Sequence, residues 1–278
     1  MKKINFEKLS NIYEYIIFDQ WGVLHDGKKL FNFTNKSIRK LKNKHLTLIS
    51  NTSQTLEEFK KQTLKKINLE FKYFNNIMTA GEALRQIKLK SKKNYISKIL
   101  KKKKAFVISN NKEVDLLKKL RIEKIDCNNC KFILAMSLEP KKNINQIIRV
   151  IIKLSQKKIP MICTNPDLFT FKDNSRYFQI GYIAKIYEKL GGKVAYIGKP
   201  QRMIFNNVLK KIKKKKTVLI GDNLDTDIMG GKNFGIKTAL VLDGFKKLNC
   251  FKSDNIALNE IHKKKIIPDY LIRNIKIN

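Results

Sequence analysis

Four polar clusters in this 278-residue chain each follow a short apolar run. Asp19-Gln20-Trp21-Gly22 follows Tyr15–Phe18, and Ser50-Asn51-Thr52 follows Leu46–Ile49. Gly198-Lys199-Pro200 follows Val194–Ile197, and Gly221-Asp222-Asn223-Leu224-Asp225-Thr226-Asp227 follows Val218–Ile220. In order they offer an acid, a hydroxyl, a lysine and a pair of acids, a set that suits phosphoryl chemistry. A carboxylate such as Asp19 can attack phosphorus and form an aspartyl-phosphate. A magnesium ion takes hard oxygen ligands, usually one or two carboxylates completed by water and phosphate. Asp19 and Asp222 could supply them, with Asp227 in or just behind that set. Lys199 would neutralise phosphate charge, while the Ser50 hydroxyl and backbone N–H groups at a helix start would cradle the oxygens. Singly, each fragment is an ordinary turn or helix cap. Four in this order are far harder to obtain by chance.

Such clusters need rigid elements beneath them. Further apolar runs of strand length lie at Ala105–Ile108, Phe132–Ala135, Met161–Cys163 and Ala239–Leu242. Helical patterns separate most of the runs. Thr55-Leu56-Glu57-Glu58 is a capping-box start, continued by Phe59, Leu64 and Ile67. Ile144, Ile147, Ile148, Ile151, Ile152 and Leu154 mark one amphipathic helix, and Ile204, Val208, Leu209 and Ile212 another. Alternating strand and helix predicts an α/β fold with mostly parallel sheets. In such sheets ligands bind beyond the carboxyl ends of the strands, where the four clusters fall.

Composition narrows the function classes. Hydrophobic residues make up 42%, which allows real cores and excludes wholesale disorder. No uncharged apolar run approaches the ~18 residues of a membrane-spanning helix. The N-terminus MKKINFEKLSNIYEY carries no apolar stretch before a small-residue cleavage site, so a cytoplasmic protein without a membrane partner is expected. The net charge of +37 raises the question of nucleic acid, yet only seven of the 60 basic residues are arginine. Guanidinium is the preferred group for base and bidentate phosphate contacts. The lysines are spread along the whole chain, so a solvated surface is expected and no specific nucleic-acid site. Cys127 and Cys130 form a CNNC, but no second CxxC or spaced His pair completes a zinc site, and reduced thiols are expected.

With these motifs in hand, the chain resembles the haloacid dehalogenase superfamily, whose motifs are a strand-end DxxG, a Ser/Thr, a Lys and a GDxxxTD. It looks most like class IIA, the NagD-like sugar-phosphatase branch, whose cap lies between the second and third motifs. CTNPD (Cys163–Asp167) resembles the cap loop of that branch, and IGYIAKIYEKLGGKVAYIGKPQ (Ile180–Gln201) its approach to the lysine. GDNLDTDIMGGKNFGIKTALVLDG (Gly221–Gly244) is the most specific piece. The resemblance implies a doubly wound, Rossmann-like parallel-sheet core, residues 1–83 and 181–278, with an inserted α/β cap domain at 84–180. It implies Asp19 as nucleophile and metal ligand, with Lys199 as its catalytic partner. The Trp21 backbone carbonyl, Asp222 and Asp227 would complete the Mg2+ site. Trp21, Gly22, Ser50, Asn51 and Lys199 would surround the phosphate, and Asn165 and Asp167 would face the substrate. The implied partner is a small phosphorylated metabolite, with self-association left open.

One position departs from the pattern. Family phosphatases carry a second aspartate two residues after the nucleophile, which protonates the leaving group and activates water, a contribution of ~100- to 10,000-fold. Here that residue is Trp21, whose indole N–H can only donate a hydrogen bond. Three readings follow: a phosphatase that works without this acid or replaces it, a phosphate-ligand binder, or a different chemistry. Dehalogenases of the superfamily also place an aromatic residue here, but they lack the GDxxxTD acids that this chain keeps. A sub-branch of class IIA carries D-x-W-G-V-x-H-D-G, which this chain matches. His25 and Asp26 are the nearest titratable candidates for a substitute acid, although a plain polar turn is the stronger expectation for both. Trp21 itself is read as packing that closes the mouth of the site against the cap, and Asp225 as a solvated acid.

Overall fold

A computed structural model describes residues 1–90, 94–110, 114–139, 144–172, 175–206, 209 and 212–277. All eight apolar runs form strands, with ends shifted by a residue or two. They divide between two parallel sheets. The first has seven strands, in the order Lys2–Lys3, Tyr270–Ile272, Lys237–Val241, Thr217–Gly221, Tyr15–Phe18, His45–Ser50, Asn76–Thr79. The second has five, in the order Val194–Tyr196, Met161–Cys163, Phe132–Ala135, Lys104–Ile108, Glu123–Lys124. An antiparallel hairpin pairs Phe169–Lys172 with Ser175–Phe178.

Burial explains why these runs are uniformly apolar. A parallel strand covered by helices on both faces has no solvent side, so it loses the alternation of a half-exposed strand. In Tyr15–Phe18, Ile16, Ile17 and Phe18 are all buried, and the whole of Thr217–Gly221 is. Ile16 and Phe18 face one cluster with Val218 and Ile220, while Ile17 faces the other with Ile49 and Leu219. That second cluster continues into the second sheet through Ala105, Val107, Phe132, Leu134 and Ile162. Ala83, Leu84 and Ile87 of the helix Ala80–Lys90 sit within it. A shared core therefore joins the two sheets.

Two sequence expectations meet the described elements as follows. A division at residue 181 would give Val194–Tyr196 to the first sheet, but this strand pairs with Met161–Cys163. The helix Ile180–Lys189 buries Ile180, Ile183, Ala184 and Tyr187 among Ile133 and Met161, on the same side. Grouped by sheet, the insertion runs on to about Tyr196. A short apolar run reports burial and says nothing about which sheet buries it. The helix expected through Ile212 is described only over Arg202–Asn206, and Val208 lies outside the described residues. The Thr55 capping box is present in full: Thr55 Oγ1 accepts from Glu58 N–H, and Glu58 Oε2 accepts from Thr55 N–H. The helix it starts passes into a π-helical stretch at Phe59–Leu64.

Candidate active site

The carboxyl edges of the two sheets face one cleft of about 1890 Å³. Loops from both edges bond to each other across it. Ser53 Oγ donates to the Met136 carbonyl, and Thr55 Oγ1 donates to Asp115 at 2.7 Å. Asp19, Ser50 and Asp222 stand at the ends of adjacent or neighbouring strands of the first sheet, because Tyr15–Phe18 is flanked by Thr217–Gly221 and His45–Ser50. Motifs about 200 residues apart in the chain thus become neighbours.

Asp19, Asp222 and Asp227 each direct a carboxylate oxygen to within 4.8 Å of the others. All three are buried. Lys199, 2% exposed, reaches in from the second sheet. Its ammonium donates to Asp227 Oδ1 at 2.6 Å and to Asp19 Oδ1. Burial pushes the Asp19 carboxyl up to about 7 against the pull of Lys199, and Asp227 adds to the rise. Asp222 is raised well above the usual carboxylate range, by burial first and then by Asp19 and Asp227. Lys199, conversely, is held above its ordinary value by Asp19, Asp227 and Asp167, which outweigh its burial. One lysine cannot balance three buried acids, and buried charge is tolerated only when compensated. Three convergent hard oxygen donors with surplus negative charge fit a divalent cation such as Mg2+.

Backbone geometry holds this cluster. Gly22 has φ +77°, and a Cβ there would lie 1.9 Å from Asp222 Oδ2. A side chain at this position would displace the acid. Asn223 opens the turn Leu224–Ile228 and donates its N–H to Asp227 Oδ2 at 3.1 Å, which fixes the Asp227 carboxylate. Asp225 points away and pairs with Lys264 at 2.6 Å, in keeping with its reading as a solvated acid.

The remaining expected residues also reach the cleft, in differing ways. Ser50 Oγ accepts from Gln20 Nε2 at 2.7 Å. The Asn51 side chain is turned to the protein: Oδ1 accepts from Lys199 N–H at 2.7 Å, and Nδ2 donates to Asp167 Oδ1 at 3.2 Å. It therefore positions the lysine loop and the Cys163–Asp167 loop together. Asn165 Oδ1 accepts from Asp167 N–H at 3.0 Å, closing an Asx turn. Burial raises Asp167 to about 6.

Trp21 lies between the two units. Its Nε1–H donates to the Phe171 carbonyl on the hairpin at 3.0 Å, and its ring meets His25 edge-on at 5.4 Å. A Cβ at Gly27 would strike this indole at 2.2 Å. His25 is 1% exposed and burial lowers its pKa to about 4, so near neutral pH it carries no spare proton. Asp26 accepts from Lys28 and Lys29 N–H groups at 2.9 and 3.0 Å. Both behave as parts of a turn. The sequence names Gln20 within the first cluster but gives it no role of its own, and the hairpin is a further addition. The signal for the hairpin was there in FTFKDNSRYF, an alternating aromatic pattern around Asp-Asn. Among the described residues no metal-ligating cluster includes Cys127 or Cys130, which are free thiols.

Two family models match: a haloacid dehalogenase-like hydrolase model over residues 16–123 and a HAD-hydrolase-like model over 196–276. The chain belongs to the haloacid dehalogenase superfamily, in its NagD-like branch. Among curated proteins it is 31% identical to human glycerol-3-phosphate phosphatase over 144 residues, covering 50% of this chain and 44% of that one. The chain thus spans less than half the length of that relative. It is 38% identical over 91 residues to the ribonucleotide monophosphatase NagD of Escherichia coli strain K12, covering 32% and 35%. It is 27% identical over 234 residues to an acid sugar phosphatase of Staphylococcus haemolyticus, covering 79% and 84%. A haloacid dehalogenase-like hydrolase from Brucella suis has the same fold, with TM-score 0.81 at 19% identity over 99% of both chains.

Proposed function

We propose that this protein hydrolyses a small phosphate ester, a polyol or sugar phosphate, through an aspartyl-phosphate on Asp19, with Mg2+ in the acid cluster. The reading is carried by one observation: Asp19, Asp222, Asp227 and Lys199 converge at the facing edges of the two sheets. The names of the relatives supply the substrate class. Asp19, Asp222 and Asp227 would hold the ion, together with the Trp21 carbonyl. When bound, the ion supplies positive charge that neutralises the phosphate and keeps the carboxylates ionised.

The side chains do the rest. Asp19 attacks phosphorus in line, and the ester oxygen leaves with its electron pair. Lys199 and the Ser50 hydroxyl stabilise the charge on the phosphoryl oxygens. Asn51 keeps Lys199 at the correct depth. Water then attacks the aspartyl-phosphate, releasing phosphate and restoring Asp19. The Trp21 side chain can exchange a proton in neither half, so the alcohol oxygen takes its proton from water, and for an ester with a good leaving group, which needs no acid, the attack by water is the slow half.

Trp21 also favours a second reading, a phosphate-ligand binder with negligible turnover. A screen of phosphorylated metabolites with and without Mg2+, on wild type and Asp19→Asn, separates the two. Hydrolysis that requires Mg2+ and Asp19 supports the enzyme. Binding of phosphorylated metabolites without phosphate release, in the presence of Mg2+, overturns it in favour of the binder.

A further inference from the structure

We infer that Gln20 and His25 form a buried relay that aims the Ser50 hydroxyl proton at a bound phosphoryl oxygen. The polarity of the relay is set by atoms that have no choice. Gly27 N–H donates to His25 Nδ1 at 2.9 Å. A backbone N–H can only donate, so Nδ1 carries no proton, and in the neutral ring Nε2 must carry it. Nε2 lies 3.3 Å from Gln20 Oε1, which accepts. The Gln20 amide nitrogen is thereby turned to Ser50 Oγ, 2.7 Å away. Thr52 N–H reaches the same oxygen at 3.2 Å.

A serine hydroxyl has one proton and two acceptor lone pairs. Two N–H donors engage both lone pairs of Ser50. Its proton must therefore point to a third partner, and among the described residues no acceptor takes it. The open direction is the cleft that Asp19 and Lys199 line. Left to rotate, the hydroxyl would present lone pairs to an anion part of the time. Held by Gln20, it is a donor only. The burial of all three side chains (His25 1%, Gln20 8%, Ser50 1%) keeps water from substituting for any link. Gln20 and His25 are positioning residues: neither touches the phosphate, and both act through Ser50.

The inference rests on the proposed phosphatase reading for its ligand alone, so the test has two independent readouts. The first is the tautomer of His25 by nitrogen-15 NMR, expected as Nε2–H. The second is inorganic phosphate binding by calorimetry on the Mg2+-loaded protein, with Ser50→Ala, Gln20→Leu and the double variant. A hydrogen bond to a charged group predicts a loss of about tenfold for each single variant. The double variant is expected to be no weaker than Ser50→Ala, because Gln20 has no target once the hydroxyl is gone. Gln20→Met, of similar length, takes the place of Gln20→Leu if the latter does not fold. Additive losses, unchanged affinity in the Gln20 variants, or an Nδ1–H tautomer overturn the relay. A wild type that holds no phosphate overturns the phosphatase reading instead, and the tautomer then decides the relay on its own.

Discussion

The two sheets meet at one cleft but contribute different things to it. The first sheet supplies Asp19, Ser50, Asp222 and Asp227 from strand ends buried on both faces. The second supplies Lys199, Asn165, Asp167 and the hairpin that receives the Trp21 hydrogen bond. The surplus negative charge sits on the first side, the counter-charge and the cover on the second. Charge of one sign packed this closely is unstable by itself, so the closed site depends on both sheets at once. The apolar cluster that runs from Ile17 and Leu219 to Phe132 and Ile162 gives that dependence a rigid base.

The sharpest way to break the comparison is to remove charge from the first side. Asp19→Asn is expected to lower phosphate release to background with its fold intact, since the amide cannot attack phosphorus. Asp222→Ala is expected to abolish the Mg2+ dependence as well. Activity that survives either change unaltered excludes the cluster as the reaction centre. A gain comes next in size. Trp21→Asp restores a proton carrier beside Asp19 and is expected to raise steady-state turnover by about 100-fold, the lower end of general acid–base contributions. In wild type, aryl phosphates should give a burst of one equivalent followed by slow release. No burst and no gain would point to the binder.

A smaller effect is linked to pH. In metal-free protein Asp19 is raised to about 7 from 3.8, so the stability it brings is complete below pH 3.8 and is lost as pH rises through 7. Asp222 shifts in the same direction. His25 is lowered to about 4 from 6.5, so its contribution is complete above pH 6.5 and is lost as pH falls through 4. The two trends oppose each other between about pH 4 and 6.5. Above that only the carboxylates act, and Tm should fall from pH 6.5 to 8. Each raised carboxyl removes up to about 1.4 kcal/mol per pH unit, or roughly 2–4 °C in a chain of this size. Saturating Mg2+ should flatten the slope. A Tm that rises over this interval without metal would mean the acids are already compensated.

How much of this was legible in the sequence divides along the same line. The first side was readable because buried parallel strands are short apolar runs that end abruptly, and Asp19, Ser50 and Asp222 stand one residue past or at those ends. Lys199 was readable as a residue but not as a member of the second sheet, because an apolar tripeptide such as Val194–Tyr196 pairs equally well in either. Gln20 was passed over because an amide beside a nucleophile has no distinctive spacing. Its partner Ser50 lies 30 residues away, and only the pairing of Tyr15–Phe18 with His45–Ser50 brings them together. Trp21 is read from the sequence as packing at the mouth of the site against the cap. Its specific partner, the Phe171 carbonyl, depends on a hairpin that the sequence reading did not include.

That partner gives the finest test of the division between charge and cover. Trp21→Phe keeps an aromatic ring beside His25 and removes the N–H that holds the Phe171 carbonyl at 3.0 Å, together with the outer edge of the indole that lies over Gly27. A net hydrogen bond is worth about 1 kcal/mol, so the hairpin should open about fivefold more often. Amide exchange across Phe169–Phe178 should quicken by that factor, while exchange across Thr217–Gly221 in the first sheet stays as it was. KM for a bulky phosphate ester should rise with kcat little changed, and a small aryl phosphate should be indifferent, because only the larger substrate touches the cover. Equal acceleration at Thr217–Gly221 would mean that the substitution destabilises the whole fold. The indole would then be core packing rather than a fastening between the two sides.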